Sequence, residues 1–166
     1  MGPALAVKGI AGNHFSVLMF GVAQVAIDLE PGIGMLRGSA TLHGWTHTYL
    51  GATVIGAAVL ILGRPLCLAI LKRWNREVIA HRLNWLTSPE HLNWPAAGAG
   101  AFVGTYSHVA LDSLMHFDIR PFAPFSSDNI LLGLVSYQAL HVGSVVAGLA
   151  GLALWLLRQW YTNRDG

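Results

Sequence analysis

Charge is the scarcest resource in this chain of 166 residues: Asp, Glu, Lys and Arg together make up 11% of it, against 54% hydrophobic residues. A soluble domain carries about a quarter charged residues, so the deficit, with a mean hydropathy of +0.51, excludes an ordinary soluble protein and points to a membrane protein. Cysteine is almost absent. A single Cys67 excludes an internal disulfide framework, a four-thiolate zinc site and an iron-sulfur cluster. No phosphate-cradling glycine loop and no G-x-S-x-G nucleophile elbow is found. The basic excess is slight, a formal +2, which suits the inner surface of a membrane and not a nucleic-acid partner.

What the chain has in abundance is long apolar runs. Taking roughly 20 residues as the length that crosses a bilayer, four runs qualify, at approximately 9–28, 45–63, 95–116 and 130–157. The expected fold is therefore all-α, a single polytopic membrane domain over 1–166 with about four transmembrane helices. The first run has no small-residue cleavage signal before Asp28-Leu29-Glu30-Pro31 and reads as a retained span. Between the second and third runs, RPLCLAILKRWNREVIAHRLNWLTSPEHLNW alternates Arg and Lys with Leu, Ile and Trp. It reads as an amphipathic cytoplasmic segment on the membrane surface, with Ser88 capping a helix that has Pro89 in its first turn. There is no internal repeat and no low-complexity linker.

Basic residues set the orientation. Lys8, Arg64, Lys72, Arg73, Arg76, Arg82, Arg158 and Arg164 share one side, and only Arg37 and Arg120 lie on the other. The positive-inside rule makes the first side cytoplasmic and places both termini there, in a bacterial-type inner membrane. The loops IDLEPGIGMLRGSATLHGWTHT and HFDIRPFAPFSSDN then face outward. Trp45, Trp85, Trp94, Trp155 and Trp160 fall near span ends, as an aromatic belt requires.

The unusual polar residues gather at the outer ends of these spans. Asp28 ends the first, His43 and His47 begin the second, and His108, Asp112 and His116 recur at every fourth position up the third, on one helical face. Ionisable groups in a span are costly to bury and so are functional candidates. Imidazole and carboxylate together suit a divalent metal: zinc first, with manganese or iron as alternatives. Asp28, His47, His108 and Asp112 are the expected ligands. Glu30 is the expected catalytic base, and His43, His116, Asp118 and His141 are held as outer-shell or reserve groups. His14 lies fourteen residues before Asp28, about 21 Å along an unbroken helix, and cannot share the site. His81 and His91 read as surface residues. Gln138 and His141 read first as interhelical hydrogen-bonding groups, and Gly100-x-x-x-Gly104 and the series Gly143, Gly148, Gly151 as close helix contacts.

The segments AIDLEP, HGWTHT and GTYSHVALD, in that order, resemble the LexA-binding, inner-membrane-associated family of membrane-bound metal-dependent hydrolases. That family shows D-x-D at the end of a span, H-R-G-x-T-H-S, and G-Y-x-S-H-x-x-x-D before a Pro-rich outer segment. The resemblance covers roughly residues 20–128 and aligns Asp28, His47, His108 and Asp112 with the family's motif positions. Two features depart from it. Glu30 stands in place of the second Asp, and the two histidines of HGWTHT are one residue closer than in the family pattern, which leaves His43 unmatched. The resemblance implies a metal-dependent hydrolase, and the location implies membrane lipids as partners and a lipid or lipid-linked substrate. Two other classes stay open: a haem-binding electron-transfer bundle using His pairs on facing helices, and a non-enzymatic subunit of a homo-oligomer or membrane complex.

Overall fold

The computed structural model describes residues 2–163, so Arg164, counted above among the cytoplasmic basic residues, lies outside the described residues. The described residues form helices and loops without a strand. The helices are α1 (Gly2–Ala11), α2 (Val17–Ile27), α3 (Leu29–Leu36), α4 (Tyr49–Ala58), α5 (Arg64–Ala80), α6 (Trp94–Met115) and α7 (Tyr137–Asn163). Short 3-10 turns cover Gly12–His14, Trp45–His47 and Asn84–Leu86, and a π-turn covers Val59–Gly63.

Three stretches are long and apolar enough to cross a membrane: Val17–Leu36, Tyr49–Ala80 and Tyr137–Thr162. The expected first span at 9–28 is therefore corrected. Gly12 adopts φ +55°, a left-handed backbone that stops α1, and the Ser16 hydroxyl accepts from the Met19 N–H to start α2. Nor does Pro31 end the helix. It is the third residue of α3, in the first turn, where a missing N–H costs nothing, and Asp28 joins α2 to α3. The third expected span, at 95–116, is α6 and has the length, 22 residues, but is the least lipid-like, because it is the inner helix. Its small and polar residues, including Gly100, Gly104, Thr105, His108 and Ser113, are buried against α2 and α4.

The expected surface helix after the second run is also different. Residues 49–80 form one stretch of 32 helical residues through the π-turn, so α5 continues α4 instead of starting afresh on the membrane surface. Ser88 caps nothing; both its backbone groups are held by the Asn75 amide, with Asn75 Nδ2 donating to Ser88 O at 2.7 Å and Ser88 N donating to Asn75 Oδ1 at 3.0 Å. The cap belongs to Asn93, whose side chain accepts from the Ala96 N–H at 2.8 Å, with Pro95 in the first turn of α6.

Close packing does what the small residues suggest at most of these positions. A Cβ on Gly100 would run into the Ser16 carbonyl, and one on Gly104 would come within 2.8 Å of the Ala23 Cβ, so α2 and α6 lie nearly backbone to backbone. Gly148 and Gly151 similarly receive Gly2 and Leu5, which seats α1 on α7, whereas Gly143 faces open space. Beneath the polar end of the bundle, Ile27, Ala52 and Val109 form a fully buried apolar floor.

Candidate metal centre

Three elements converge above that floor. Asp28 comes from the α2–α3 junction, His47 from the 3-10 turn before α4, and His108 and Asp112 from successive turns of α6. Each offers one ligand atom, and the four atoms lie within 4.8 Å of one another. His108 Nε2 is 3.1 Å from both Asp28 Oδ1 and Asp112 Oδ2, and His47 Nε2 is 3.8 Å and 3.6 Å from the same two carboxylates. Ligands bound at about 2.0–2.2 Å around a four-coordinate zinc sit roughly 3.3 Å apart, so this spacing suits a cation at the centre.

Hydrogen bonds on the far side of each imidazole decide which nitrogen carries the proton. Gln24 Nε2 donates to the Gly104 carbonyl at 2.8 Å, which turns Gln24 Oε1 toward His108; Oε1 must then accept from His108 Nδ1, 2.9 Å away. On the other histidine, the Thr46 hydroxyl donates to Glu30 Oε2, so its oxygen accepts from His47 Nδ1 at 2.9 Å. Both rings thus carry a proton on Nδ1 and aim Nε2 at carboxylate oxygens. Both Nε2 atoms are buried and have no hydrogen-bond partner among the described residues. Facing two carboxylates, each Nε2 needs a positive partner, either a proton that makes the ring an imidazolium or a bound cation, and two histidines with two carboxylates are a good donor set for the cation.

The approach to the cluster is guarded unevenly. The side chains of His47 and His108 are 0% and 9% exposed, Asp112 18%, and Asp28 54%, so Asp28 marks the open side. Loops hold the buried side. Tyr49 N donates to Pro121 O at 2.9 Å, and Asn129 Nδ2 donates to the carbonyl of Ser113 at 2.9 Å, tying the 116–136 loop to the starts and ends of the helices that carry ligands.

Glu30 is not one of the four clustered residues but reaches the segment that carries His47. Its carboxylate accepts from the Thr46 backbone N–H at 2.8 Å and from the Thr46 hydroxyl, and Gly44 gives it room, since a Cβ there would meet Oε1. His141 is exposed on α7 and is apart from the cluster, with Nδ1 donating to the Tyr137 carbonyl at 2.8 Å. His14 is exposed on its 3-10 turn, and His81 and His91 are exposed as expected. His43, His116 and Asp118 sit together as a second group beside the first, whose ligand atoms also lie within 4.8 Å of one another. Asp118 Oδ1 is 2.9 Å from His43 Nδ1, and Oδ2 accepts from the backbone N–H groups of Leu42 and His43 at 3.1 Å and 3.2 Å. Burial alone would raise the Asp118 carboxyl, but the His43 ring and these two N–H groups outweigh it and hold the carboxyl down at about 2.

Gln24 and Thr46 were not singled out from the sequence, yet both left a signal. Gln24 is four residues before Asp28 on an otherwise apolar helix, and Thr46 adjoins His47.

Comparison with known proteins bears on the membrane side of this picture. The family model described as YdjM inner membrane protein matches residues 10–165. No curated protein and no solved structure matches.

Proposed function

This chain belongs to the YdjM inner membrane protein family, and from that premise we propose that it is a membrane-embedded, metal-dependent hydrolase of a lipid or lipid-linked substrate. One observation carries the metal half of the reading: two buried Nε2 atoms, each turned inward by a hydrogen bond on the opposite ring nitrogen, converge with two carboxylates within 4.8 Å. Asp28, His47, His108 and Asp112 would hold the ion, zinc first and manganese or iron as alternatives. Bound there, a divalent cation supplies Lewis acidity toward a carbonyl or phosphoryl oxygen and toward water.

The chain's own residues do the rest. Gln24 and Thr46 keep both imidazoles turned inward, and Glu30 holds Thr46, so Glu30 positions His47 instead of exchanging protons with substrate. Asp28, more than half exposed, is the group that meets what enters. Ile27, Ala52 and Val109 keep water from reaching the cluster from below. The lipid half of the reading rests on surroundings. Phe117 and Phe125 on the 116–136 loop are 86% and 89% exposed, and Ile130 and Leu134 on the same loop are exposed too, apolar side chains suited to acyl chains and interfacial headgroups. With the site at the outer end of the bundle, as the basic residues imply, the substrate would come from the outer leaflet.

Haem is disfavoured by the same geometry. The His47 and His108 rings are 5.2 Å apart, centroid to centroid, with carboxylates between them, which leaves no space for a porphyrin. The test has two parts. Metal analysis of purified protein should find an ion that Ala at Asp28, His47, His108 or Asp112 reduces and His14→Ala does not. Mass spectrometry of total lipid extracts should then show one lipid class consumed by wild-type protein and spared by chelated protein and by the His108→Ala, Asp112→Ala variant. Metal bound without any lipid change would overturn the hydrolase and favour a non-enzymatic subunit; metal kept by the double variant would overturn the ligand set.

A further inference from the structure

The second group, His43, His116 and Asp118, is built from different parts of the chain than the first. His43 is on the loop before α4, His116 follows the last turn of α6, and Asp118 lies two residues further on. The His43 and Asp118 side chains are only 10% and 16% exposed. Asp118 uses one oxygen to hold the loop through the Leu42 and His43 N–H groups, which leaves the other, Oδ1, directed at the imidazole. The His43 ring packs against His116 at 4.5 Å and against His47 of the first cluster at 4.7 Å, centroid to centroid. One imidazole contact therefore separates the two clusters.

We propose that His43, His116 and Asp118 bind a second divalent cation beside the first, so that the centre is dinuclear. The proposal deepens the reading of the first cluster as a cation site and rests on it only for the pairing of the two. Three facts support it. Two imidazoles and one carboxylate supply one negative charge and borderline-soft nitrogen donors, the set that zinc, manganese and iron take. The three ligand atoms lie within 4.8 Å of one another, and the 2.9 Å hydrogen bond from His43 Nδ1 to Asp118 Oδ1 would give way to a shared cation with a small opening, to the roughly 3.3 Å between neighbouring ligands of a four-coordinate ion. Finally, the number of protein ligands differs between the clusters. The first offers four, enough to close a tetrahedral site, whereas the second offers three, the count at sites that keep a position for water or substrate. The two ions would have different duties, with the second the more open to an incoming phosphoryl or carbonyl oxygen.

The experiment is metal counting with zinc as the probe, by elemental analysis and by calorimetric titration of metal-stripped protein in detergent. Wild-type chain should take up two ions. The His43→Ala, His116→Ala variant, which keeps Asp118 and its hold on the loop, should take up one, and so should the His108→Ala, Asp112→Ala variant. His43→Gln with His116→Gln, which preserves side-chain volume, repeats the measurement should the alanines unfold, with helical circular dichroism as the check. One ion in wild type, lost only with His108 and Asp112, overturns the second site and leaves the first standing. One ion lost only with His43 and His116 supports the second site and overturns the first. No ion in wild type overturns both.

Discussion

Gln24→Leu tests whether the centre is held by its outer hydrogen bonds. In the wild type, Gln24 bridges two groups: its amide donates to Gly104 O at 2.8 Å and accepts from His108 Nδ1 at 2.9 Å. Leucine is similar in size but offers neither bond. Gly104 O remains in the hydrogen-bond ladder of α6, so the loss in folding stability should be only about 1 kcal/mol. The imidazole fares worse. Without an acceptor, the proton on Nδ1 is better placed on Nε2, where Asp28 Oδ1 and Asp112 Oδ2 wait at 3.1 Å. A cation must then displace that proton. Loss of such an outer partner weakens metal binding about 10- to 100-fold, or roughly 1.4–2.7 kcal/mol. Competition with a chromophoric zinc chelator reads the affinity, and nitrogen-15 shifts of the metal-free imidazole read the tautomer. Gln24→Glu is the companion, since it restores an acceptor and should recover most of the affinity even though it sets a carboxylate against the Gly104 carbonyl. Unchanged zinc affinity in Gln24→Leu, with Nε2 still unprotonated, would refute the argument.

Three further outcomes are expected. Gly100→Leu should force α2 from α6, because even a Cβ there meets the Ser16 carbonyl; overpacking of this kind costs about 1–3 kcal/mol, and a fall in thermal midpoint together with weakened metal binding at Asp28 would record it, whereas Gly143→Leu, in open space, should be silent. Single cysteines at Ser39 and Ser127 should react with a membrane-impermeant thiol reagent from outside and Asn84→Cys should not, with buried Cys67 adding little background; reaction of the Asn84 variant alone would invert the topology. Because the Asp118 carboxyl is held at about 2 in the fold, below its ordinary value near 3.9, its contribution to stability is complete above about pH 4 and disappears as the pH falls toward 2, so metal-stripped wild type should lose thermal stability across that window and Asp118→Asn should not show that loss.

The clustering of the four residues was legible in part because its spacing is local: Asp112 follows His108 by four residues, and both sit on one face whatever the rest of the helix does. Convergence with Asp28 and His47 could be guessed from span ends alone. The helix boundaries were less legible, since a span-length hydropathy average stays apolar despite Asn13 and His14 and registers neither the +55° φ of Gly12 nor the cap at Ser16. Pro31 is ambiguous for a related reason. Its residue type says that a helix stops, but its place in the first turn of α3 says that one starts. Ser88 lost its expected role to a long-range partner, the Asn75 side chain thirteen residues earlier, which no local pattern announces. Glu30 reads as chemistry from its type and its nearness to Asp28; only the Thr46 contacts make it a brace.

The seating of α1 on α7 has a consequence for how the molecule is made. A ribosome delivers Gly2–Ala11 well before Tyr137–Asn163, yet these two segments are each other's chief neighbours. During synthesis the leading helix must wait, without its groove of Gly148 and Gly151, until nearly every other residue has entered the bilayer. All four groups of the first cluster, and all three of the second, lie between residues 28 and 118. Both clusters are therefore complete on the nascent chain while the seam between α1 and α7 is still unmade, and metal capture at the proposed sites would be an event separate from closure of the bundle, able to precede it.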